Sequence, residues 1–509
     1  VATESEAGMQ QVEAELKFAI GADDPLPALG ELVEVGPVHE QHLRAVYLDT
    51  QALHLVRHRI TLRRREGGPD AGWHLKSPLP DGTRLEVHAP LADGPGRLRV
   101  PETLREEVLA TLGHALPDGP DGALLPAAVL VTHRLELDLL DPARPEVVLA
   151  RLCDDRVTAL PAGETWRELE VELVDGDDAL LRQVADTVER QGLPLAEDPS
   201  KLSRALGPRP ERARRGEGPA ADGPAADVVL AYLAAQVAVV VGREDDVRTD
   251  APDAVHKARV ATRRLRSALR TFRRLLDRDV ADPLRQEIRW FATALGEPRD
   301  AEVMRDHLLV AVDDLPQHEV VGPVRERVST ELEQRHAAAH RALVQVLDSD
   351  RYRELLDQLM DLLAVPPWRG RAHQPAEEVL PGLVADAVDR ARTQARAAER
   401  AEGPQQLPLL HEARKKAKAV RYACEALAPA LGAEAADAAE VWEQVTETLG
   451  AVQDAALAAE WLREVAAAAQ EAGEPGYTYG VLAAQAVRRA QAARDGEMAL
   501  ARALEHGWP

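Results

Sequence analysis

Hydrophobic and polar positions follow two different periods along the chain. From about residue 10 to 206, apolar and polar residues alternate in short segments, with brief helical stretches between them. From about 226 onward, Ala, Leu, Arg and Glu recur at helical spacing. Alternation places successive side chains on opposite faces of a strand, whereas a 3.6-residue period builds a helix face. The pattern therefore predicts strands with a few helices first, and helices alone afterwards. Between them lies PRPERARRGEGPAADGPAAD, rich in Pro, Gly and charge, which reads as a linker. The expected domains are 1–207, a linker over 208–225, and 226–509. The loop-like stretch VPPWRGRAHQPAEE (365–378) splits the last into repeats at about 226–365 and 379–505.

The strand segments sort their charges. V-E-A-E-L-K-F places Glu13, Glu15 and Lys17 on one face, with Val12, Ala14, Leu16 and Phe18 on the other. The same parity groups Arg57, Arg59, Thr61, Arg63 and Arg65 in RHRITLRRR, and His74 and Lys76 in WHLK. It also groups Arg84, Glu86 and His88, then Arg134, Glu136 and Asp138, then Glu168, Glu170 and Glu172. Each segment has one charged and one mostly apolar face. A sheet closed with its apolar face outward, under helices, has an interior lined by both signs. Basic groups bind phosphate oxygens, and clustered Glu hold a hard divalent cation.

The helical half repeats itself. His256-Lys-Ala-Arg259 and His411-Glu-Ala-Arg414 each open a basic helix, offset by 155 (411 − 256). Each is followed by a Leu-Gly…Asp turn, LGEPRD (295–300) and LGAVQD (449–454), offset by 154 (449 − 295). Matching order at nearly equal offsets indicates an internal duplication. Residues 256–274 hold eight Lys/Arg and no Asp or Glu. His256, Arg259, Arg263, Arg266, Arg270, Arg273 and Arg274 fall within an arc of roughly 100°, opposite Leu265, Leu269, Phe272 and Leu276. Like charges on one strip repel, which points to an anionic ligand. In the second copy His411, Arg414, Lys415, Lys418 and Arg421 share an arc, diluted by Glu425.

Composition changes this picture little. The net charge of −24 argues against a polyanion partner until the distribution is considered. All seven lysines (Lys17, Lys76, Lys201, Lys257, Lys415, Lys416 and Lys418) fall inside the basic motifs. Aromatics are only 3%, so the strips have no stacking platform and nucleic acid ranks low as a partner. Cys153 and Cys424 lie far apart without metal spacing, which fits a reducing compartment. No secretory signal and no membrane span are expected. No Walker A loop, Rossmann fingerprint, HExxH or GxSxG offers a competing chemistry.

Glu13-x-Glu15-x-Lys17 resembles the ExExK signature of the CYTH, or triphosphate tunnel metalloenzyme, family. YLDT (47–50), Leu62-Arg63-Arg64-Arg65, WHLK with Lys76, Glu86, Arg134, Glu168-x-Glu170-x-Glu172 and Lys201 in SKLSR follow in the family's order. The resemblance covers about residues 10–206. It implies an eight-stranded antiparallel β-tunnel with flanking helices that hydrolyses or cyclises triphosphates with Mg²⁺ or Mn²⁺. On that resemblance Lys17, Arg63, Arg65, Lys76, Arg134 and Lys201 bind the phosphate chain. Glu13, Glu15, Glu168, Glu170 and Glu172 hold metal, and Glu13, Glu15, Lys17 and Lys76 form the catalytic set. Either Asp154 or Asp155 supplies a further acidic position.

HKARVATRRLRSAL and LHEARKKAKAVRYACEAL resemble the two signature helices of the CHAD domain, over about residues 226–505. This resemblance implies two pseudo-symmetric four-helix bundles whose basic groove binds inorganic polyphosphate. His256, Arg259, Arg263, Arg266, Arg270, His411, Arg414, Lys415, Lys418 and Arg421 are the expected groove residues. The whole reads as a multidomain α+β chain, a metal-dependent inorganic triphosphatase joined to a polyphosphate-binding domain. Adenylyl cyclase, organic (thiamine or nucleoside) triphosphatase and non-catalytic polyphosphate binder are the alternatives. The expected location is the cytoplasm, with association with polyphosphate granules as an extension.

Overall fold

The computed structural model describes residues 10–12, 15–79, 84–160, 163–196, 200–401 and 405–494. They form two compact units, 1–217 with 356–366, and 218–355 with 367–509.

The first unit is built on one antiparallel sheet of β1 (Gln10–Val12), β2 (Glu15–Ala19), β3 (Glu34–Asp49), β4 (Thr61–Glu66), β5 (Gly72–Pro78), β6 (Arg84–Ala89), β7 (Leu125–Asp141), β8 (Arg144–Leu160) and β9 (Glu164–Leu173). The order is β1-β6-β5-β4-β3-β7-β8-β9-β2. The two edge segments, β1 and β2, are consecutive in sequence. Residues 10–12 pair with β6 at one edge and residues 15–19 with β9 at the other, so the antiparallel sheet curls round toward itself. Bulges in β3 and β7–β8 let these long strands bend.

Outside the sheet, Phe18, Leu139, Leu152, Leu169 and Val171 pack against Leu181, Val184 and Val188 of α3 (Asp178–Arg190). The other helices of this unit are α1 (His54–Arg57), α2 (Glu102–Leu112), α4 (Lys201–Leu206) and α5 (Arg209–Arg214). Leu202 and Leu206 of α4 pack with Ala45, Tyr47, Ala128, Leu130, Val157, Ala159 and Trp166. These sheet residues share the parity of the charged face, so one end of the tunnel is apolar and plugged by α4. α5 lies within the stretch whose Pro and Gly content predicts a linker.

The run 57–65 is not one strand. Asp49 accepts hydrogen bonds from the backbone N–H groups of Thr50 (2.7 Å), Leu55 (2.9 Å) and Val56 (3.0 Å). That fixes the turn of α1, and Leu53 and Arg59 take positive φ on either side of it. Arg57 and Arg59 are therefore off the charged strand face, which begins at Thr61.

The second unit is helical: α6 (Ala225–Gly242), α7 (Glu244–Arg248), α8 (Ala254–Thr271), α9 (Arg278–Asp313), α10 (Val324–Leu347), α11 (Asp350–Ala364), α12 (Ala376–Glu399), α13 (Gln406–Leu431), α14 (Ala433–Glu471) and α15 (Tyr477–Arg494). From Leu356 onward α11 belongs to the first unit. The sets α6, α8, α9, α10 and α12, α13, α14, α15 follow each other in matching order, each helix packing on the next within its set, and α6 and α8 also pack across on α13. Leu308, Val312, Val328 and Leu332 meet Leu462, Val465, Tyr479 and Leu482 in a shared core of α9, α10, α14 and α15. α6 is long and apolar enough to cross a membrane, with half of it buried in its unit.

The Leu-Gly…Asp motifs are not turns. Gly296 lies inside α9 (36 residues) and Gly450 inside α14 (39 residues). A Cβ at Gly450 would stand 2.5 Å from the Arg414 guanidinium, and one at Gly296 would stand 3.7 Å from that of Arg259. Gly450 makes room for an arginine of the preceding basic helix, whereas Gly296 lies beside its counterpart arginine at ordinary contact distance, and neither glycine breaks its own helix.

Candidate functional site

Side chains directly opposite on antiparallel strands share a face. The register of the first unit aligns Arg63 with His74 and His88, and Thr61 with Lys76 and Glu86. On the other wall it aligns Arg134, Asp155 and Glu168, and also Lys17, Glu170 and Cys153. Glu15, Lys17, Arg63, Arg65, Lys76, Arg134, Glu170, Glu172 and Lys201 all line one cavity of about 470 Å³. Glu13 lies outside the described residues. Of the two adjacent aspartates, Asp155 faces inward, whereas Asp154 is on the outer face with Arg167 at 2.7 Å.

Glu170 is the centre of the acidic wall. It is 2.6 Å from Lys17, 2.7 Å from Lys201 and 2.8 Å from Arg134. Burial pushes its carboxyl up, but Lys201, Lys17 and Arg134 together hold it well below the usual carboxylate range. Arg134 grips Asp155 with two 2.8 Å hydrogen bonds. Asp155 is likewise depressed, with Lys201 and Arg134 overcoming burial. Burial pulls Lys201 down, yet Glu170, Asp155 and Glu168 lift it well above an ordinary lysine.

Two acid groups bear on metal binding. Glu15, Glu170 and Glu172 place carboxylate oxygens within 4.8 Å of one another. Glu172 is pushed up by burial and then by the charge of Glu170, a repulsion that a cation would relieve. All-oxygen donors suit Mg²⁺ or Mn²⁺, so this trio fits the implied ion. Asp155, Glu168 and Glu170 form the second group, but the Lys201 ammonium already stands 2.7–2.8 Å from all three. Glu168, expected among the metal ligands, does not line the cavity. It accepts the Trp166 indole N–H (2.5 Å) and anchors Lys201.

The basic wall is differently arranged. Arg63 reaches the Tyr47 hydroxyl at 3.4 Å, and Arg65 donates to the Asp70 carbonyl at 3.0 Å. Burial and then Arg63 lower the Arg65 guanidinium below its ordinary value. Lys76 lies 3.4 Å from Glu86, which also faces His74 at 2.8 Å. Arg151, Glu136 and Tyr47 line the cavity too; sequence reasoning put Glu136 on the charged face and Tyr47 in YLDT but named none of the three as a site residue. The alternation Arg151–Cys153–Asp155 in β8 carries the signal, obscured by the acidic Asp154 on the opposite parity.

In the second unit a cavity of about 1230 Å³ is lined by His256, Arg259, Arg263, Arg266 and Arg270 of α8 and His411, Arg414, Lys415 and Lys418 of α13. Arg421 is not on it. Glu425 (2.8 Å) and Glu443 (2.6 Å) hold its guanidinium elsewhere. Arg285, Arg289 and Arg299 of α9 and Arg335 of α10 add cations that sequence reasoning missed, because acids surround them in the chain. Arg259 pairs with Asp300 at 2.8 Å, and its counterpart Arg414 lies 3.8 Å from Asp454. The two copies of the His-x-x-Arg and Gly-x-x-x-Asp motifs thus repeat one contact. Lys418 is pushed down to about 7 by burial and by Arg263 and Arg414. Arg266 is lowered by burial and then by Arg289 and Arg263. Depressions of this kind mark positive charge that the protein's own acids leave uncompensated.

Comparison with known proteins finds a family for each part of the chain. The CYTH domain family matches residues 11–206 and the CHAD domain family residues 231–463. Two uncharacterized proteins of Mycobacterium tuberculosis, from strains CDC 1551 and H37Rv, are each 35% identical over 523 residues. Each match covers 97% of this chain and 97% of the relative. Among solved structures, PptA from Streptomyces chartreusis is 25% identical, covering 55% of this chain and 99% of its own, with a TM-score of 0.44. The CHAD domain from the plant Ricinus communis is 23% identical, covering 56% and 93%, also with a TM-score of 0.44. Members of the CYTH family typically act on triphosphates and use divalent metal ions. The chain belongs to the family of two-part proteins in which a CYTH domain precedes a CHAD domain.

Proposed function

We propose that the tunnel hydrolyses inorganic triphosphate with Mg²⁺ or Mn²⁺ and that the cationic cavity of the helical unit binds inorganic polyphosphate. One observation carries the first half: an acid trio able to take a metal faces a wall of Arg63, Arg65 and Lys76 within a single cavity. Metal-assisted phosphoryl transfer needs both signs at close quarters, and a divalent ion there neutralises phosphate oxygens and activates water. In this reading Arg63, Arg65 and Lys76 hold the chain. Arg134 and Lys201 keep Asp155 and Glu170 ionised, and Lys17 bridges Glu15 (3.5 Å) and Glu170. The helical cavity has cations in excess, and Asp300, Glu412 and Asp454 on its wall are paired with them, which suits binding without chemistry. A cytoplasmic setting, with recruitment to polyphosphate granules, belongs to the same proposal.

The test is to incubate the protein with tripolyphosphate, ATP, thiamine triphosphate and long-chain polyphosphate, each with Mg²⁺ or Mn²⁺. Phosphate, pyrophosphate and cyclic AMP are measured. Turnover of tripolyphosphate alone supports the proposal. Cyclic AMP instead makes the tunnel a cyclase, and tight polyphosphate binding without any turnover makes the chain a binder. Glu15→Gln activity equal to wild type at saturating metal refutes the ligand assignment.

A further inference from the structure

His74 lines the tunnel cavity on β5, yet both of its ring nitrogens are already committed. Nδ1 is 2.8 Å from the Glu86 carboxylate, and Nε2 is 3.1 Å from the Asp70 carbonyl. The ring is almost fully buried, at 2% exposed. A neutral imidazole has one N–H, so one of its nitrogens must turn a lone pair toward an oxygen. The imidazolium donates to both partners, and both are in place. Its surroundings oppose that charge. Burial acts first, then Arg63 and Arg65, and together they outweigh Glu86 and Asp70 and hold the ring below an ordinary histidine. The charged and titratable groups facing it are Arg63 and Arg65 from β4, Asp70 from the β4–β5 turn, Lys76 from its own strand, and Glu86 and His88 from β6. His88 packs edge-on at 4.8 Å.

A phosphate chain on the arginine wall removes the opposition, because it offsets Arg63 and Arg65 and adds negative charge beside the ring. We propose that His74 is a proton-linked positioning residue, neutral in the free protein and taking up one proton when a phosphate chain is bound. The tunnel then gains a cation only when it has an anion to hold. This rests on the triphosphate reading above. With both nitrogens engaged, the ring acts through its charge and through Glu86, which it shares with Lys76, and not by touching phosphate. For this group affinity is level below the free-protein pKa. It falls by up to about tenfold per pH unit between the free and bound values, and is level again above.

Titration calorimetry with tripolyphosphate in EDTA tests this on the full chain. Measurements near about pH 7.5 in buffers of different ionisation enthalpy count the protons taken up. Wild type is expected to take up as much as about one proton more than His74→Asn, and to lose more affinity than the variant between about pH 6 and pH 8. Proton changes on tripolyphosphate itself are common to both proteins, so the difference isolates the ring. Equal uptake by the two proteins overturns the proposal and leaves the triphosphate reading standing. Absence of tripolyphosphate binding by wild type overturns that reading, and this proposal with it. If His74→Asn does not fold, imidazole ¹⁵N shifts of histidine-labelled wild type answer the same question. A ring signal, assigned through His74→Gln, should pass from neutral to doubly protonated on adding tripolyphosphate, and an unchanged signal refutes the idea.

Discussion

Replacing Lys201 by methionine removes the charge at the centre of the tunnel and leaves most of its shape. The wild-type ammonium lies 2.8 Å from Asp155, 2.8 Å from Glu168 and 2.7 Å from Glu170. All three acids are nearly inaccessible to water. Methionine keeps an apolar stem beside Leu202 and the plug formed by α4, so packing changes little. Taking one partner from a buried ion pair costs about 3–5 kcal/mol, since the remaining charge stays desolvated. Arg134 and Lys17 still serve Glu170, so the lower half of that range, about 3–4 kcal/mol, is expected at neutral pH. The pH dependence gives the sign. Burial pushes Glu170 and Asp155 up, and the Lys201 charge, with Arg134 beside it, holds them down. Carboxyls depressed in the folded state contribute stability above their ordinary pKa and lose it as pH falls through the folded value. Without Lys201 both acids titrate higher, so the variant's deficit is largest near neutrality and narrows on acidification. Calorimetry of the full chain at neutral and mildly acidic pH reads this directly. For a unit of this size about 3 kcal/mol is about 6–12 °C in Tm. A neutral-pH deficit below about 1 kcal/mol, or one that widens in acid, refutes the view of Lys201 as the acids' counter-ion.

Other outcomes follow from the same geometry. Gly450→Ala pushes a methyl group into the Arg414 guanidinium and should weaken polyphosphate binding by about tenfold, or about 1.4 kcal/mol. Gly296→Ala meets Arg259 only at ordinary contact distance, so affinity should hold while α9 gains up to about 1 kcal/mol of helix propensity. Lys418, at about 7, is charged below that pH, so polyphosphate affinity should fall as pH rises through neutrality. Lys418→Arg, which stays protonated, should flatten the profile in a binding titration at several pH values. Arg421→Ala should leave polyphosphate affinity unchanged, because that guanidinium is held by Glu425 and Glu443 away from the cavity. Glu172→Gln should raise the metal concentration needed for half-maximal turnover, measured by Mg²⁺ or Mn²⁺ titration.

Period-two patterning exposed the tunnel because its interior is charged, which makes the two faces of each strand unlike. It failed where that contrast is absent. Tyr47, Ala128, Val157 and Trp166 are interior residues of the plugged end, and their apolar character looks like the outer face. Parity alone could not choose between Asp154 and Asp155, since the outer-face acid is satisfied by Arg167, thirteen residues downstream by the cross-strand pairing. Arg57 and Arg59 fitted the strand period, but the hydrogen bonds of Asp49 to a four-residue helix decide the backbone there. The glycines at 296 and 450 resembled helix breakers. At Gly450 the reason is tertiary, an arginine from the preceding basic helix, and no local rule contains it. Arg421 shared the strip's arc, yet its fate depended on Glu443, an acid on the following helix.

The pairing of two neighbouring segments with opposite edges of the sheet also sets a timetable. Residues 10–12 pair with 84–89, whereas residues 15–19 pair with 164–173. During synthesis at about 5–20 residues per second, the second partner emerges roughly ten to thirty seconds after the first strand. Throughout that interval Lys17 faces no Glu170 and the charged inner wall stays open to water. The sheet is thus completed by its last strand, while residues 15–19 wait as an unpaired edge. A ribosome-bound chain released before residue 173 should therefore carry every cation of the basic wall and yet lack the enclosure that makes them a site.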